Sequence, residues 1–340
     1  MKKTLLALAV LGAYAGVASA QSSVTIWGVV DLSINQIKNG NVKGTQMMSN
    51  QLNSNRLGFR GVEDLGGGLS AGFHLEAPMS NQDGNPLALN FTRRSTVSLI
   101  SQQGGEVRFG RDYDPSFWNL VFFDVYGANG IGQGLNLITN LGSGATTIAR
   151  TNNSIGYILP GNLGGVYGQA QYALGQGNDN NKYYGLRGGY AAGPIDVALG
   201  YGVTETTSVN KFKIMNVGAS WNFGAAKLFG LYNQNKWGSL KENFYEISVS
   251  VPLGQGEFKA GYAKVDDKGT SIDTMDANQW ALQYIYNMSK RTALYGGYAQ
   301  LSNKAGSART IQSGSLGSTG NASLLGGKSK GFNVGVRHSF

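Results

Sequence analysis

The chain of 340 residues carries 28 lysines and arginines against 19 aspartates and glutamates, a formal net charge of +9, and contains no cysteine. The lack of cysteine excludes a disulfide scaffold and a thiol nucleophile. Only 41% of the residues are hydrophobic, whereas there are 52 glycines and 17 tyrosines. This composition favours strands that are apolar on one side and joined by tight turns, and it argues against a soluble enzyme core.

The amino-terminal segment has the pattern of a secretory signal peptide. Lys2-Lys3 precede the mostly apolar run Thr4–Val17, and Ala18-Ser19-Ala20 has the small-residue form of a cleavage site. The apolar run is shorter than the ~20 residues of a membrane-spanning helix. We therefore expect a signal peptide over residues 1–20, cleaved after Ala20, and one mature domain over residues 21–340. Export argues against a nucleic-acid partner and favours small anions as partners of the basic chain.

Beyond Ala20 the chain has no apolar run long enough for a membrane helix, which excludes an α-helical membrane protein. Apolar and polar residues instead alternate with a period of two, the spacing of a strand with one apolar face. Sixteen segments are predicted as strands on this pattern: Val24–Gln36, Asn55–Glu63, Leu69–Ala77, Thr92–Ser101, Glu106–Arg111, Ser154–Leu159, Gly165–Leu174, Lys182–Tyr190, Ile195–Val203, Phe212–Phe223, Ala226–Asn235, Phe244–Val251, Glu257–Val265, Gln279–Tyr286, Thr292–Leu301 and Gly331–Phe340.

The final segment, Gly331–Phe340, has the length that crosses a bilayer as a tilted strand. A strand in the last residues is expected when it must pair with the first strand and close the sheet. An even strand number also suits a bacterial barrel. The sequence thus predicts an all-β fold, a sixteen-stranded antiparallel transmembrane β-barrel in the outer membrane of a Gram-negative cell.

The predicted connections alternate between short and long. Short ones, such as Asp64–Gly68 and Pro252–Gly256, are rich in glycine and other turn residues. Longer polar loops are predicted at Ile37–Gln51, Pro78–Asn90, Asp266–Asn278 and Ser302–Lys330. Long loops on the outside and tight turns in the periplasm are the pattern of outer-membrane barrels.

The connection from Asp112 to Thr151 is exceptionally long for a loop. Its first half is strongly apolar, so it cannot lie extended in water and must pack against other residues. The inside of a sixteen-stranded wall is wide enough to hold it. An additional β-hairpin built on Val121–Tyr126, which would raise the strand count, is the alternative.

Four motifs resemble one family. Ser23-Val-Thr-Ile-Trp-Gly-Val-Val-Asp31 is similar to the opening strand of the Gram-negative general porins of the Neisseria, Burkholderia and Comamonas type. The segments Arg56–Leu69, Val107–Arg111 and Val334–Phe340 resemble the second strand with its turn, the strand before the third loop, and the closing strand. The resemblance implies a sixteen-stranded barrel assembled as a homotrimer among outer-membrane lipid and lipopolysaccharide. It also implies a third external loop that folds inward and narrows a pore for small hydrophilic solutes.

Strand parity predicts which basic side chains face the lumen. Leu57 and Phe59 should face lipid, which turns Arg56 and Arg60 inward. In Thr92–Ser101 the same count sends Arg94 inward and Arg93 outward, although a bulge near the strand end would exchange them. The same parity predicts four further inward residues: Arg108, Arg187, Lys259 and Arg337.

Anion-selective members of the resembling family carry an arginine cluster at the constriction. Arg56 or Arg60, Arg93 or Arg94, and Arg150 match the places of that cluster. Acidic partners that would pair with the arginines or offset their field are Asp112, Asp114 and Asp124. The alternative is that these arginines are solvated wall residues without a filter role.

These features predict a passive diffusion channel with mild anion preference, because guanidinium stays charged and suits carboxylate and phosphate groups. A substrate-specific channel with a saturable organic-anion site is the main alternative, and a plugged structural barrel is another. The sequence contains no His-Glu-x-x-His and no cysteine–histidine cluster. No enzyme activity and no cofactor are therefore expected.

Overall fold

The computed structural model describes residues 23–84, 89–175, 182–206, 210–270, 272–311 and 324–340. The expected signal peptide and its cleavage site at Ala20 lie outside these residues. Within them, no helix is both long and apolar enough to cross a bilayer.

Seventeen strands of the described residues form a single sheet. One α-helix, α1 (Pro115–Phe122), and a short 3-10 helix (Gly134–Asn136) lie in the long connection between β6 and β7. The strands are β1 Ser23–Asn39, β2 Val42–Ser49, β3 Arg56–Gly66, β4 Leu69–Pro78, β5 Arg94–Ser101, β6 Gly105–Tyr113, β7 Arg150–Ile158, β8 Val166–Ala173, β9 Tyr183–Ala192, β10 Ile195–Glu205, β11 Lys211–Asn222, β12 Lys227–Trp237, β13 Leu240–Leu253, β14 Gly256–Lys268, β15 Ala277–Asn287, β16 Thr292–Asn303 and β17 Lys328–Ser339.

The sheet closes on itself because the last strand pairs with the first. Residues Val29–Asn39 of β1 lie antiparallel to Ser329–Ser339 of β17. Gly28 and Phe340 extend this pairing with two backbone hydrogen bonds of 3.0 Å, so even the last residue belongs to the seam. Every other strand pairs antiparallel with its neighbours, which confirms the predicted barrel. Each of the sixteen predicted segments overlaps an observed strand.

The seventeenth strand arises because β2 and β3 share one position in the barrel. β2 pairs with the carboxy-terminal half of β1, where Leu32 lies opposite Ser49. β3 pairs with the amino-terminal half of β1, where Val29 lies opposite Arg56. The barrel therefore has sixteen strand positions. The prediction of a loop over Ile37–Gln51 was wrong, because most of this segment continues the β1–β2 hairpin. Its outward side chains include the exposed polar residues Lys43 and Thr45, so the alternation of apolar and polar residues fades there.

Asp31 holds the irregular segment between β2 and β3 against the wall. Its Oδ2 accepts hydrogen bonds from the backbone N–H groups of Leu52 (2.6 Å) and Asn53 (2.5 Å), and its Oδ1 accepts one from the hydroxyl of Tyr295. Asp31 is fully buried. A buried carboxylate with several donors replaces the ladder bonds that the irregular residues 50–55 cannot make.

The two faces of the wall differ in chemistry, as β11 shows. Met215 and Val217 are 41% exposed on the outer face, whereas Asn216 between them is completely buried on the inner face. The same alternation of apolar exterior and small or polar interior recurs in the neighbouring strands. This pattern is the one expected when hydrocarbon lies outside and a hydrated, partly filled lumen lies inside.

The connection between β6 and β7 begins with α1, which lies against the inner face of β8–β12. Pro115 occupies the first turn of α1, where a missing N–H group is harmless. Phe117 and Leu120, one turn apart, are both buried and pack with Leu231 and Phe244 of the wall. The alternative hairpin on Val121–Tyr126 is not formed, because these residues end the helix and enter an irregular segment.

Specific contacts position the start of this connection on β11. Asn216 donates from Nδ2 to the carbonyl of Ser116 and accepts at Oδ1 from Nδ2 of Asn119, both at 2.9 Å. The ring of Phe123, which is 1% exposed, lies directly over Gly218, where any Cβ atom would overlap it. The side chains of α1 thus fit the wall only where the wall carries small or matching polar residues.

The return part of the connection is fixed by charged groups of the wall and of the external loops. Glu242 accepts hydrogen bonds from the N–H (2.9 Å) and hydroxyl (2.7 Å) groups of Thr139. Arg309 forms ion pairs with Glu242 (3.0 Å) and Asp267 (2.8 Å) and donates from Nε to the carbonyl of Leu137 (2.9 Å). Both ends of the connection are therefore tied to the inner wall.

We expect Gly218→Ala to displace Phe123 and to loosen this connection. Overpacking of a filled site costs about 1–3 kcal/mol, so the free energy of unfolding in detergent should fall by that amount. Protease cleavage within residues 115–126 should become faster. Gly230→Ala is the matched control, because nothing lies within 4 Å of a Cβ atom at that position of the adjacent strand. Equal stability and equal cleavage of the two variants would contradict the packing described here.

Candidate functional site

A cavity of about 820 Å³ lies inside the barrel beside α1. One side is formed by α1 and the segment that follows it, from Phe117 to Asn129. The facing side is formed by the wall, with residues of β1, β3, β4, β14, β15 and β17. Among the lining residues are five of the predicted arginines: Arg56, Arg60, Arg93, Arg94 and Arg150.

Arg56 and Arg60 reach the cavity from β3. They are four residues apart on one strand, so they point to the same face, as strand parity predicts. Arg56 donates from Nε to the carbonyl of Ser54 (2.9 Å) and lies 3.1 Å from a carboxylate oxygen of Glu76. Arg60 is exposed and forms no hydrogen bond or ion pair with any described residue. Its guanidinium is thus free to meet a solute.

Arg93 and Arg94 both line the cavity, which corrects the expectation that Arg93 faces outward. Parity applies only within a regular strand, and β5 begins at Arg94. Arg93 precedes the strand, and its guanidinium turns inward to donate from Nε to Glu76 (2.5 Å). Arg94 lies 3.5 Å from a carboxylate oxygen of Asp112.

Glu76 is the centre of the cationic cluster, and the sequence analysis did not select it. It is 3% exposed, accepts a hydrogen bond from Arg93, forms an ion pair with Arg56, and lies 3.6 Å from Nε2 of His74. Two guanidinium groups held by one carboxylate keep a net positive charge. The alternation of Leu75 and Glu76 on β4 would have placed this carboxylate inside, so strand parity could have identified it.

Tyr113, at the end of β6, links Arg93 to Arg150. Its hydroxyl accepts from Nη2 of Arg93 at 2.7 Å and from Nη2 of Arg150 at 2.6 Å. The guanidinium carbon of Arg150 also lies 4.1 Å from the centre of the Tyr113 ring, within the range of a cation–π contact. These contacts fix two guanidinium groups in one orientation beside the cavity.

Arg108 does not line this cavity, in contrast to its expected place in the constriction. It makes a bidentate pair with Glu106, with both contacts at 2.9 Å, and donates to Asp112 at 2.6 Å. Two carboxylates therefore neutralise Arg108 within the wall. Of the three predicted acidic partners, only Asp112 pairs with arginines.

Asp114 and Asp124 belong to the long connection and form no ion pair with an arginine among the described residues. Asp124 accepts from the N–H groups of Tyr126 (2.8 Å), Ala128 (3.1 Å) and Gly134 (3.1 Å). Burial raises the pKa of Asp124 to about 6 and raises that of Asp114 well above its usual value. Asp124 thus shapes the backbone of the connection.

The charges around the cavity are unbalanced. Seven cationic side chains of the described residues line it, the five arginines together with Lys259 and Arg337, against the three carboxylates of Glu76, Asp124 and Glu257. The excess is four positive charges. Lys259 of β14 donates a hydrogen bond from Nζ to the carbonyl of Val125 (2.8 Å). This bond links the wall to the segment that follows α1. Lys259 and Arg337 were predicted to point inward by parity.

The side of the cavity formed by α1 is apolar. Trp118 and Phe122 stack with ring centres 5.3 Å apart, and Phe122 is 51% exposed toward the cavity. Arg187 lies behind α1, where its Nε donates to Oδ1 of Asn119 (2.5 Å) and its guanidinium covers Tyr167 at 4.6 Å. The cavity thus places a cationic wall opposite an aromatic surface.

Comparison with known proteins agrees with this architecture. The model of the Gram-negative porin family matches residues 7–306. The chain is 40% identical to outer membrane porin protein 32 of Delftia acidovorans and 29% identical to an outer membrane porin of Bordetella pertussis, with the whole of each chain covered in both cases. An anion-selective porin from Comamonas acidovorans has a similar structure, with a TM-score of 0.84, 35% identity and coverage of 94% of this chain and 100% of that chain.

The family consists of channels, which confirms the interpretation that the chain is not an enzyme. A closed barrel with an apolar exterior, a cavity inside it and relatives that match over their full length all lead to one assignment. The chain belongs to the Gram-negative porins and forms a channel in the outer membrane.

Proposed function

We propose that the cavity beside α1 is the constriction of the channel and that its arginines give the channel a preference for small anions. The observation that carries the proposal is the excess of four positive charges around the cavity, with Arg60 lacking any counter-ion among the described residues. A narrow aqueous pore lined by one sign of charge concentrates ions of the opposite sign. The similarity to an anion-selective porin supports the same preference.

The arginines that are held in place set the electrostatic potential of the cavity, and Arg60, which has no partner among the described residues, contacts the solute. Glu76 and Tyr113 hold Arg56, Arg93 and Arg150 in place, so these groups need little reorganisation when an anion passes. The N–H groups of the Arg60 guanidinium remain available to donate hydrogen bonds to a passing anion. Guanidinium groups remain protonated across the physiological range, so the preference should persist from pH 5 to pH 9.

A channel with a saturable organic-anion site is the second candidate, and the apolar faces of Trp118 and Phe122 favour it. A carboxylate could meet Arg60 while an apolar body lies against α1. Saturation would appear as block of the ionic current by an aromatic carboxylate at concentrations where acetate has no effect. Equal weak block by both compounds supports general diffusion.

We also propose a homotrimer, as the family resemblance implies. An apolar groove of about 220 Å³ on the outer surface between Val24, Phe73 and Val97 supports close contact of this part of the wall with another subunit. The rest of the exterior carries exposed apolar side chains suited to outer-membrane lipid and lipopolysaccharide, such as Leu199 and Ile247. Light scattering in detergent measures the number of subunits.

Residues 1–20 are proposed to be a signal peptide that is removed after Ala20. The basic start, the apolar run and the small residues at positions 18–20 support this. Amino-terminal sequencing of protein from outer membranes should begin at Gln21.

We expect Arg60→Ala to reduce the chloride-to-potassium permeability ratio about threefold. Coulomb's law gives ~0.7 kcal/mol for two unit charges 6 Å apart in water, which corresponds to that factor. Arg60→Glu should reduce the ratio further. The measurement is the reversal potential in a planar bilayer with a potassium chloride gradient. Arg291→Ala is the control, because Arg291 is exposed in the turn between β15 and β16 and does not line the cavity, and this variant should match the wild type. An unchanged ratio in Arg60→Glu would refute the proposed role.

Glu76→Gln should have the opposite effect. The neutral amide still bonds to Arg56 and Arg93 but no longer offsets their charge, so the permeability ratio for chloride should rise by a similar factor. Asp273→Asn removes one negative charge from an exposed external loop and should change the ratio little because salt screens it. A loss of anion preference in Glu76→Gln would show that Glu76 acts only by holding the arginines in place.

A further inference from the structure

Four neighbouring strands carry a lysine at the same level on the outer surface of the barrel. Lys213 lies directly opposite Lys236, Lys236 opposite Lys241, and Lys241 opposite Lys268. Adjacent strands are ~4.8 Å apart, so the four positions span only about 15 Å. These four residues are called the lysine row below. By strand parity they point away from the lumen, in line with exposed residues such as Met215.

The lysine row lies just beyond the part of the wall that contacts hydrocarbon. One step toward the bilayer centre are Gln234 and Asn243, joined by a hydrogen bond of 2.8 Å. The next step is the pair Tyr232 and Tyr245, with ring centres 5.1 Å apart. Tyrosine prefers the boundary between hydrocarbon and headgroups. Four residues of a tilted strand correspond to roughly 10 Å along the membrane normal, so the row stands at headgroup depth.

The row faces the outer leaflet. Lys268 ends β14 and precedes the long connection to β15, whereas the opposite ends of these strands are joined by short turns at residues 223–226 and 254–255. Long connections mark the external end of an outer-membrane barrel. The lysine row therefore stands beside the headgroups of the external leaflet.

Three of the four lysines in the row have no counter-ion among the described residues. Like charges placed directly opposite each other on adjacent strands are destabilising. Lys268 has an ion pair with Asp266 at 2.9 Å, but Lys213, Lys236 and Lys241 have none with any described residue. A surface that repels itself is stabilised when an anion binds across it, and several lysines at headgroup depth suit clustered phosphates.

A shorter row of the same kind occurs elsewhere on the exterior. Lys38 of β1 lies opposite Lys43 of β2 and also opposite Lys330 of β17. Lys330 is the next outward residue after Phe332, which is 50% exposed on the apolar part of the wall. The recurrence of cross-strand lysines at the same boundary points to a common partner along the rim.

We propose that the lysine row is a binding site for the phosphate groups of lipopolysaccharide. Phosphates would bridge Lys236 and Lys241 at the centre of the row, while Tyr232 and Tyr245 contact the boundary between sugar and acyl chains. The proposal rests on the outer-membrane exterior described above and is independent of the anion preference of the pore.

The test compares Lys236→Gln/Lys241→Gln with a control that loses the same charge, Lys290→Gln/Lys304→Gln. Lys290 lies in the short turn between β15 and β16, and Lys304 is paired with Asp276 in an external loop. Each protein is extracted from outer membranes in mild detergent, and bound lipopolysaccharide is counted by native mass spectrometry and titrated by adding purified lipopolysaccharide. The row variant should bind roughly twentyfold more weakly, since each lysine beside an anionic headgroup contributes about a factor of five.

Three further results identify the interaction. Lys236→Arg/Lys241→Arg should bind as the wild type does, and the wild type should bind dephosphorylated lipopolysaccharide at least as weakly as the glutamine variant binds the intact form. The reversal potential of the glutamine variant should remain that of the wild type, which separates this site from the pore. Equal binding by the row variant and the control, or equal binding of the dephosphorylated lipid, overturns the proposal.

Discussion

The need to pair every backbone polar group within a membrane governs this molecule. Hydrocarbon offers no hydrogen-bond partners, so a sheet that crosses it must have no free edge. The pairing of β1 with β17, completed by the bonds between Gly28 and Phe340, meets that requirement. Once the sheet is closed, each side chain points either to lipid or to the lumen, and the positions of the charged groups follow.

Closure of sixteen strand positions leaves an interior too wide for wall side chains to fill. The connection between β6 and β7 occupies part of that space, and the wall is shaped to receive it. Gly218 leaves room for Phe123, and Asn216 forms hydrogen bonds with the carbonyl of Ser116 and the side chain of Asn119. The cavity is the volume that remains between α1 and the strands on the far side. Its size therefore depends on how tightly the connection packs.

The chemistry of the cavity follows from how its charges are held. Glu76 and Tyr113 orient three arginines, and the single carboxylate leaves their summed charge positive, while Arg108 is neutralised by Glu106 and Asp112 within the wall. Identical side chains on neighbouring strands thus have different roles. On the outside, the same strand register sets lysines opposite one another, where lipid headgroups can separate their charges. Both inside and outside the barrel, basic residues on neighbouring strands lie close together and concentrate positive charge.

Local alternation predicted most of the fold because hydrocarbon imposes it residue by residue. All sixteen strands of the membrane part, and the inward direction of Arg56, Arg60, Lys259 and Arg337, could be obtained by counting along a strand. Counting alternate residues gave the wrong result where the chain is not a regular strand with one apolar face. β2 carries polar residues on its outer face as well, such as Lys43 and Thr45, and Arg93 precedes the first regular residue of β5.

The sequence by itself determined the strand pattern, the lumen-facing basic residues and the need for an apolar connection to be packed away. Only the tertiary structure decided that this connection forms a helix against β8–β12, that Glu76 gathers Arg56 and Arg93, and that Arg108 is withdrawn from the cavity. The reason is that alternation is a local consequence of the surrounding solvent. Ion pairs and packing join residues far apart in the chain, and their partners are fixed only when the barrel closes.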